Sequence, residues 1–296
     1  MIQLMSERLF PLVLTISILV FAVSSMLMVG LRYTLADLLR PLNDIAGVSI
    51  ALATNFVLVP LLAWSLLRIF PLDSDYATGL VIVASAAGAP LLVKLAMNAK
   101  EDVGFAASLI VLLLLGTIVA MPIIIRLMTE QGRIGAWAIA RPLLLNMMLP
   151  LVAGFVLRPL VPALAQRAVP ILAKVLTIAL WVMVILSLFL NRSAVLGIFG
   201  EGAILVSVLF IALAFVLGYF TGSLDKAERV VLGFGASQRN FAAAMVVARQ
   251  AFDAPGVLVM VVVLSLVAML LIPFSAFLGR RKVREGASSA SSSPSP

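Results

Sequence analysis

Long apolar runs, separated by short stretches carrying charged residues, Pro or Gly, recur nine times along this chain. They lie near 9–31, 45–69, 76–98, 102–127, 134–157, 168–190, 196–220, 229–252 and 255–279. A helix needs about 20 apolar residues to cross a hydrocarbon core about 30 Å thick. The runs lack the period-2 alternation of lipid-facing barrel strands, so the pattern predicts an all-α polytopic membrane protein of about nine transmembrane helices. Linkers such as 32–44 and 221–228 leave no room for a soluble domain. The first run is longer than the 7–15 residues of a signal-peptide core and no basic cluster precedes it, so it reads as a span. The tail 280–296, RRKVRE followed after one Gly by ASSASSSPSP, reads as a disordered cytosolic end.

Composition narrows the classes. Of 296 residues 63% are hydrophobic and 11% charged, with a mean hydropathy of +1.21; soluble domains carry about 25% charged residues. Cys and His are absent, which removes disulfides, thiolate metal sites, cysteine nucleophiles and the commonest general base. An intramembrane enzyme would be left with Ser/Lys chemistry, and Ser85 and Lys94 are nine apart on one interrupted run with nothing to suggest that they meet. No enzyme activity, cofactor or metal cluster is expected. The net charge of +8 is mostly topological. Of 21 Lys and Arg, twelve fall in the tail and in loops after odd-numbered spans, and six on the other side. The positive-inside rule places the C-terminus in the cytosol and the N-terminus outside, and the expected location is a bacterial inner (plasma) membrane. Nucleic acid is not an expected partner; the lipid bilayer is.

The remaining three cations are Lys94, Arg141 and Arg239, all within spans. Arg239 lies in a span with an interruption. The third span contains Ser85-Ala-Ala-Gly-Ala-Pro90 and the eighth contains Gly233-Phe-Gly-Ala-Ser-Gln-Arg-Asn240. Proline and glycine break helices, here expected at Gly88, Pro90, Gly233 and Gly235, and breaks in lipid survive only where protein or a water-filled cavity surrounds them. Each interrupted span is followed by one with a late proline, Pro122 and Pro273. Such pairing is the mark of an inverted-repeat carrier, with repeat one near 9–128 and repeat two near 134–279 inside a single transporter domain 1–279. The plainer alternative is two ordinary kinked helices, since Gly and Pro are common in membrane spans.

None of the 13 acidic residues is mid-membrane; Glu201 comes nearest and reads as interfacial. A carboxylate proton relay therefore has no anchor. Arg239 is either an anion-binding group, a fixed charge where a mobile cation would otherwise bind, or a structural arginine tied to carbonyls exposed by the helix break. Lys94, with Asn98 one turn later, lines a polar face or snorkels to the cytosolic surface. Arg141 reads as interfacial. Asn55, Ser237, Gln238 and Asn240 complete the candidate substrate- or ion-binding set, by the ligating capacity of amides and hydroxyls.

The stretch Gly235-Ala-Ser-Gln-Arg-Asn-Phe-Ala-Ala-Ala244 resembles the crossover motif of the bile acid:sodium symporter family. Asn55-Phe-Val-Leu-Val-Pro60, the third span from Gly88 to Asp102, and Met28-Val-Gly30-Leu are similar to further family segments. The resemblance implies a panel-plus-core fold whose two broken helices cross at mid-membrane, and sodium-coupled transport. It also implies Gln238 and Asn55 as sodium-site-like residues. The rest of the sodium pattern is replaced: Phe234 stands where sodium-coupled members carry a glutamate, and Leu92-Val93 where they carry Ser-Asn. Arg239 takes the place of a neighbouring Asn, and Ala106 and Ile110 fall at hydroxyl positions. These substitutions remove oxygens and add two cations. The expected function is secondary active transport of a small organic anion by alternating access, not coupled to sodium in the family's way. Lys94 and Arg239 then supply fixed positive charge facing the anion. The alternatives are a transport-dead sensor or scaffold, or a passive channel of the same fold.

Overall fold

A computed structural model describes residues 9–34, 45–129, 135–200, 202–221, 226–252 and 254–291. All regular elements among them are helices: α1 Phe10–Arg32, α2 Ile45–Ile69, α3 Ser74–Ser85, α4 Leu92–Ala99, α5 Val103–Met128, α6 Ala136–Leu160, α7 Pro162–Leu190, α8 Arg192–Gly200, α9 Ala203–Thr221, α10 Lys226–Ser237, α11 Phe241–Ala251, α12 Pro255–Ala268 and α13 Leu271–Ser291. Eight segments are long and apolar enough to span a bilayer. The third expected span is the exception because it is divided into α3 and α4 around residues 86–91, and with it the nine expected spans are accounted for.

Prolines shape two of the spans. In α2 the Val59 N–H bonds to Thr54 O rather than to Asn55 O, making a π turn over Thr54–Leu58. The donor that would reach Asn55 O in that register belongs to residue 60, which is proline and has none. The Asn55 carbonyl is thereby freed. The same thing happens in α6, where the π turn Leu144–Met148 precedes Pro150.

The helices pack as two groups. In one, α1 lies along α6 and α7. Gly30 and Gly154 let the α1 and α6 backbones touch, since a Cβ on Gly30 would overlap Leu151 O and one on Gly154 would lie 2.7 Å from Leu27 O. In the other group, α3 packs on α12, α4 on α13, and α10 on α9. The α10–α11 pair is its axis: residues 230–248 are all buried, so the eighth span touches protein and not lipid. The groups meet where α11 packs on α1 and α6, and where α5 packs on α6.

Three expectations change. Gly233 and Gly235 do not break the eighth span, which is helical to Ser237 and interrupted only at 238–240. They are contact glycines: a Cβ on Gly233 would lie 3.0 Å from Phe215, and one on Gly235 3.0 Å from Leu109 Cδ2. The seventh span starts at Ala203 rather than 196, because Gly202 takes a left-handed turn (φ 71°) after the short helix α8. Glu201 lies outside the described residues. The tail expected to be disordered continues helical to Ser291, and residues 292–296 lie outside the described set. Its start is held by Lys282, whose Nζ pairs with Glu101 Oε2 at 2.8 Å and donates to Lys100 O at 3.1 Å.

Candidate functional site

The two interruptions meet. Asn240 N–H donates to Ala86 O at 2.9 Å, and Asn240 Nδ2 reaches Gly88 O at 3.4 Å. A broken helix leaves backbone groups that must be satisfied where water is absent, and several here are served by the opposite helix or a neighbouring side chain. Thr117 of α5 serves Ala87 twice, its Oγ1 accepting from Ala87 N at 2.8 Å and donating to Ala87 O at 3.0 Å. Gly88 has φ 80°, which only glycine adopts without cost, and a Cβ there would sit 2.8 Å from Ile110 O. Asn240 caps α11 by accepting from Ala243 N at 3.1 Å. Ser237 bonds back to Gly233 O at 2.9 Å within its own helix.

Arg239 sits at the centre, fully buried. Its Nε donates to Val83 O at 3.2 Å; Nη1 donates to Asn55 Oδ1 at 2.7 Å and Ala236 O at 3.3 Å; Nη2 donates to Ala84 O at 2.6 Å and Asn55 O at 3.3 Å. That uses all five guanidinium donors. Three of the acceptors lie in the last turns of α3 and α10, where the carbonyls carry the partial negative charge of a helix C-terminus. The other two come from Asn55, its amide oxygen and the carbonyl freed by Pro60. Sequence, local structure and charge thus converge on one cradle of oxygens filled by a cation of the chain itself.

Of the sequence-predicted residues, Asn55, Arg239, Asn240 and Gly88 come together at the crossing. Gln238 is beside them and buried, and its Oε1 has no hydrogen-bond partner among the described residues. Lys94 is elsewhere, exposed on α4 with no partner among the described residues. Asn98 joins α4 to α13 through Ser275 Oγ at 3.3 Å. Because every N–H of Arg239 is engaged and the side chain is buried, it presents no donor to an anion in this conformation. Phe234 is also buried, its ring edge-on to Phe215 at 5.1 Å and to Phe274 at 6.2 Å. Ala106 and Ile110 are fully buried. Sequence reasoning missed Thr117, although it is one of only two hydroxyl residues in the long apolar run of α5.

Comparison with known proteins now bears on this arrangement. Residues 18–198, more than half of the chain, match the Sodium Bile acid symporter family. The chain belongs to that family. It is therefore an integral, multi-pass membrane protein of a transporter family, and the resemblance read from the sequence is upheld. Among relatives, a probable sodium/metabolite cotransporter, BASS3, chloroplastic, of Arabidopsis thaliana is 24% identical over 196 residues, covering 66% of this chain and 46% of that protein. The protein of the same description from Oryza sativa subsp. japonica is 22% identical over 205 residues, covering 69% and 48%. The chain spans about half the length of the curated relatives it matches. The family match covers Asn55, Val83 and Ala84 of the cradle and ends before Ala236 and Arg239.

Proposed function

We propose that this protein is a secondary carrier of a small organic anion, working by alternating access and without sodium. The observation that supports this reading is the guanidinium of Arg239, held by five oxygens at the point where the two broken helices cross. A sodium ion is a hard cation that takes a shell of oxygen ligands, preferably with a carboxylate among them. Here the oxygens are engaged by a permanent cation, and Phe234 brings an aromatic ring where sodium-coupled members carry a glutamate. The residues do not fit sodium. The arginine does what a mobile cation would do for the two helix C-termini, and it stays with the protein.

The preference for an anion rests on the charges that remain. Half-helix N-termini suit anions; α4 starts without a side-chain cap, and Lys94 lies in its first turn with no partner among the described residues. Gln238 adds an amide beside the crossing. Lys94 and Gln238, rather than Arg239, are the groups proposed to meet the substrate. By loop charge, the N-terminus is outside and the Lys94 end faces the cytosol.

The test begins with thermal stability of the purified protein against a panel of organic carboxylates, sulfates and sulfonates in sodium and in choline buffer. Uptake of the stabilising compound into proteoliposomes follows, in the same two buffers. Equal uptake in both supports the reading; strict dependence on sodium sinks it.

A further inference from the structure

At the end of the bundle where α1 and α12 begin and α7 and α11 finish, a cavity of about 230 Å³ opens on the seam between the two packing groups. Pro11, Leu190 and Asn191 line it from one group, and Arg249, Phe252 and Leu258 from the other. Arg249 crosses the seam, donating from Nε to Thr15 Oγ1 at 3.1 Å, while Thr15 is itself anchored on Pro11 O at 2.9 Å. That fixes the plane of the guanidinium and leaves Nη1 and Nη2 with no partner among the described residues. Asn191 is likewise anchored, through Nδ2 to Ser187 O at 2.8 Å. Among the described residues, the remaining wall is apolar and no lining residue is acidic.

We infer that this cavity is a second anion site, taking a small monovalent organic carboxylate or sulfonate with a short apolar body. Two free, oriented guanidinium nitrogens match the two oxygens of a carboxylate. Leu190, Phe252 and Leu258 accept the apolar part. The volume falls below the roughly 300–1,000 Å³ of sites for drug-sized ligands, which matches a small occupant. Because the walls belong to both helix groups, an occupant bridges them, and the site lies away from the Arg239 crossing. Its use as a docking place for transported substrate rests on the carrier reading above; the binding itself does not.

The absence of cysteine gives a clean test that needs no transport. The thiol of Ala254→Cys, on the cavity wall, is reacted in detergent with an anionic sulfonatoethyl methanethiosulfonate and with its cationic trimethylammonium counterpart. Adding Arg249→Gln is expected to slow the anionic reagent at least fivefold relative to the cationic one, while Arg249→Lys keeps most of the preference. Propionate and benzoate are expected to slow modification when Arg249 is present and not in Arg249→Gln. An unchanged reagent ratio, or protection that persists without Arg249, overturns the proposal. Pro255→Cys serves as a second reporter should Ala254→Cys fold poorly. A negative result here leaves the carrier reading intact, and a failed uptake assay leaves this site intact.

Discussion

A guanidinium holds five N–H donors in one plane, and in Arg239 each meets an oxygen. Removing the guanidinium leaves neutral oxygens buried without a donor, and each such group costs about 1–3 kcal/mol. Arg239→Ala is therefore expected to lower Tm sharply while leaving its oxygens grouped around a gap. Sodium chloride should then raise the Tm of Arg239→Ala relative to choline chloride and leave the parent unmoved, since a ligand that binds only the folded state stabilises it. If sodium moves neither protein, the oxygens do not form a cation cradle. Gly88 carries a different burden. Alanine there must adopt φ 80° and press its Cβ against Ile110 O and the Leu114 N–H, so Gly88→Ala should cost at least about 2 kcal/mol, read as a lower Tm in the absence of any ligand.

At the scale of elements, the break in the third span is held by a hydroxyl on its neighbour. Thr117→Val keeps the shape and removes both bonds to Ala87. Each buried backbone group left unpaired costs about 1–3 kcal/mol, so Thr117→Val should lose about 2–6 kcal/mol, with Thr117→Ser recovering most of it in the same denaturation assay. The sequence made the spans and the third-span break legible, because apolar length and an Ala-Gly-Ala-Pro interruption act locally. It misled at Gly233 and Gly235, which look like breakers but serve a close approach to Phe215 and Leu109 on other helices. Arg239 was visible as a buried cation, yet its meaning depended on Val83, Ala84 and Asn55, brought to it from far along the chain. Thr117 was hidden for the same reason. Pro60 shows the middle case: its missing donor is a local fact, but the carbonyl it frees matters only because Arg239 is there.

For the whole molecule, the two helix groups are joined across their seam by packing and by Arg249 on Thr15. Within the first group, the α1–α6 contact depends on two glycines. Gly154→Leu should separate these helices and lower Tm, with little change in the reagent selectivity at Arg249, which sits on α11 and meets α1 at Thr15, the end away from Gly30.

The cation tied into the crossing has an energetic consequence for any anion carried past it. A dissociable ion brings free energy from its own gradient each time it enters and leaves. Arg239 does neither; it is present in every conformation and returns unchanged, so it contributes nothing to accumulation. A monovalent anion moved alone then feels the membrane potential directly, about 2.3 kcal/mol per 100 mV. With a negative interior, that is roughly a fiftyfold bias toward the outside at 100 mV. The expected result is flux that ignores sodium but changes direction when a potassium diffusion potential across proteoliposomes is reversed with valinomycin. If the proposed carrier moves such an anion alone, its flux is biased outward at rest by the membrane potential.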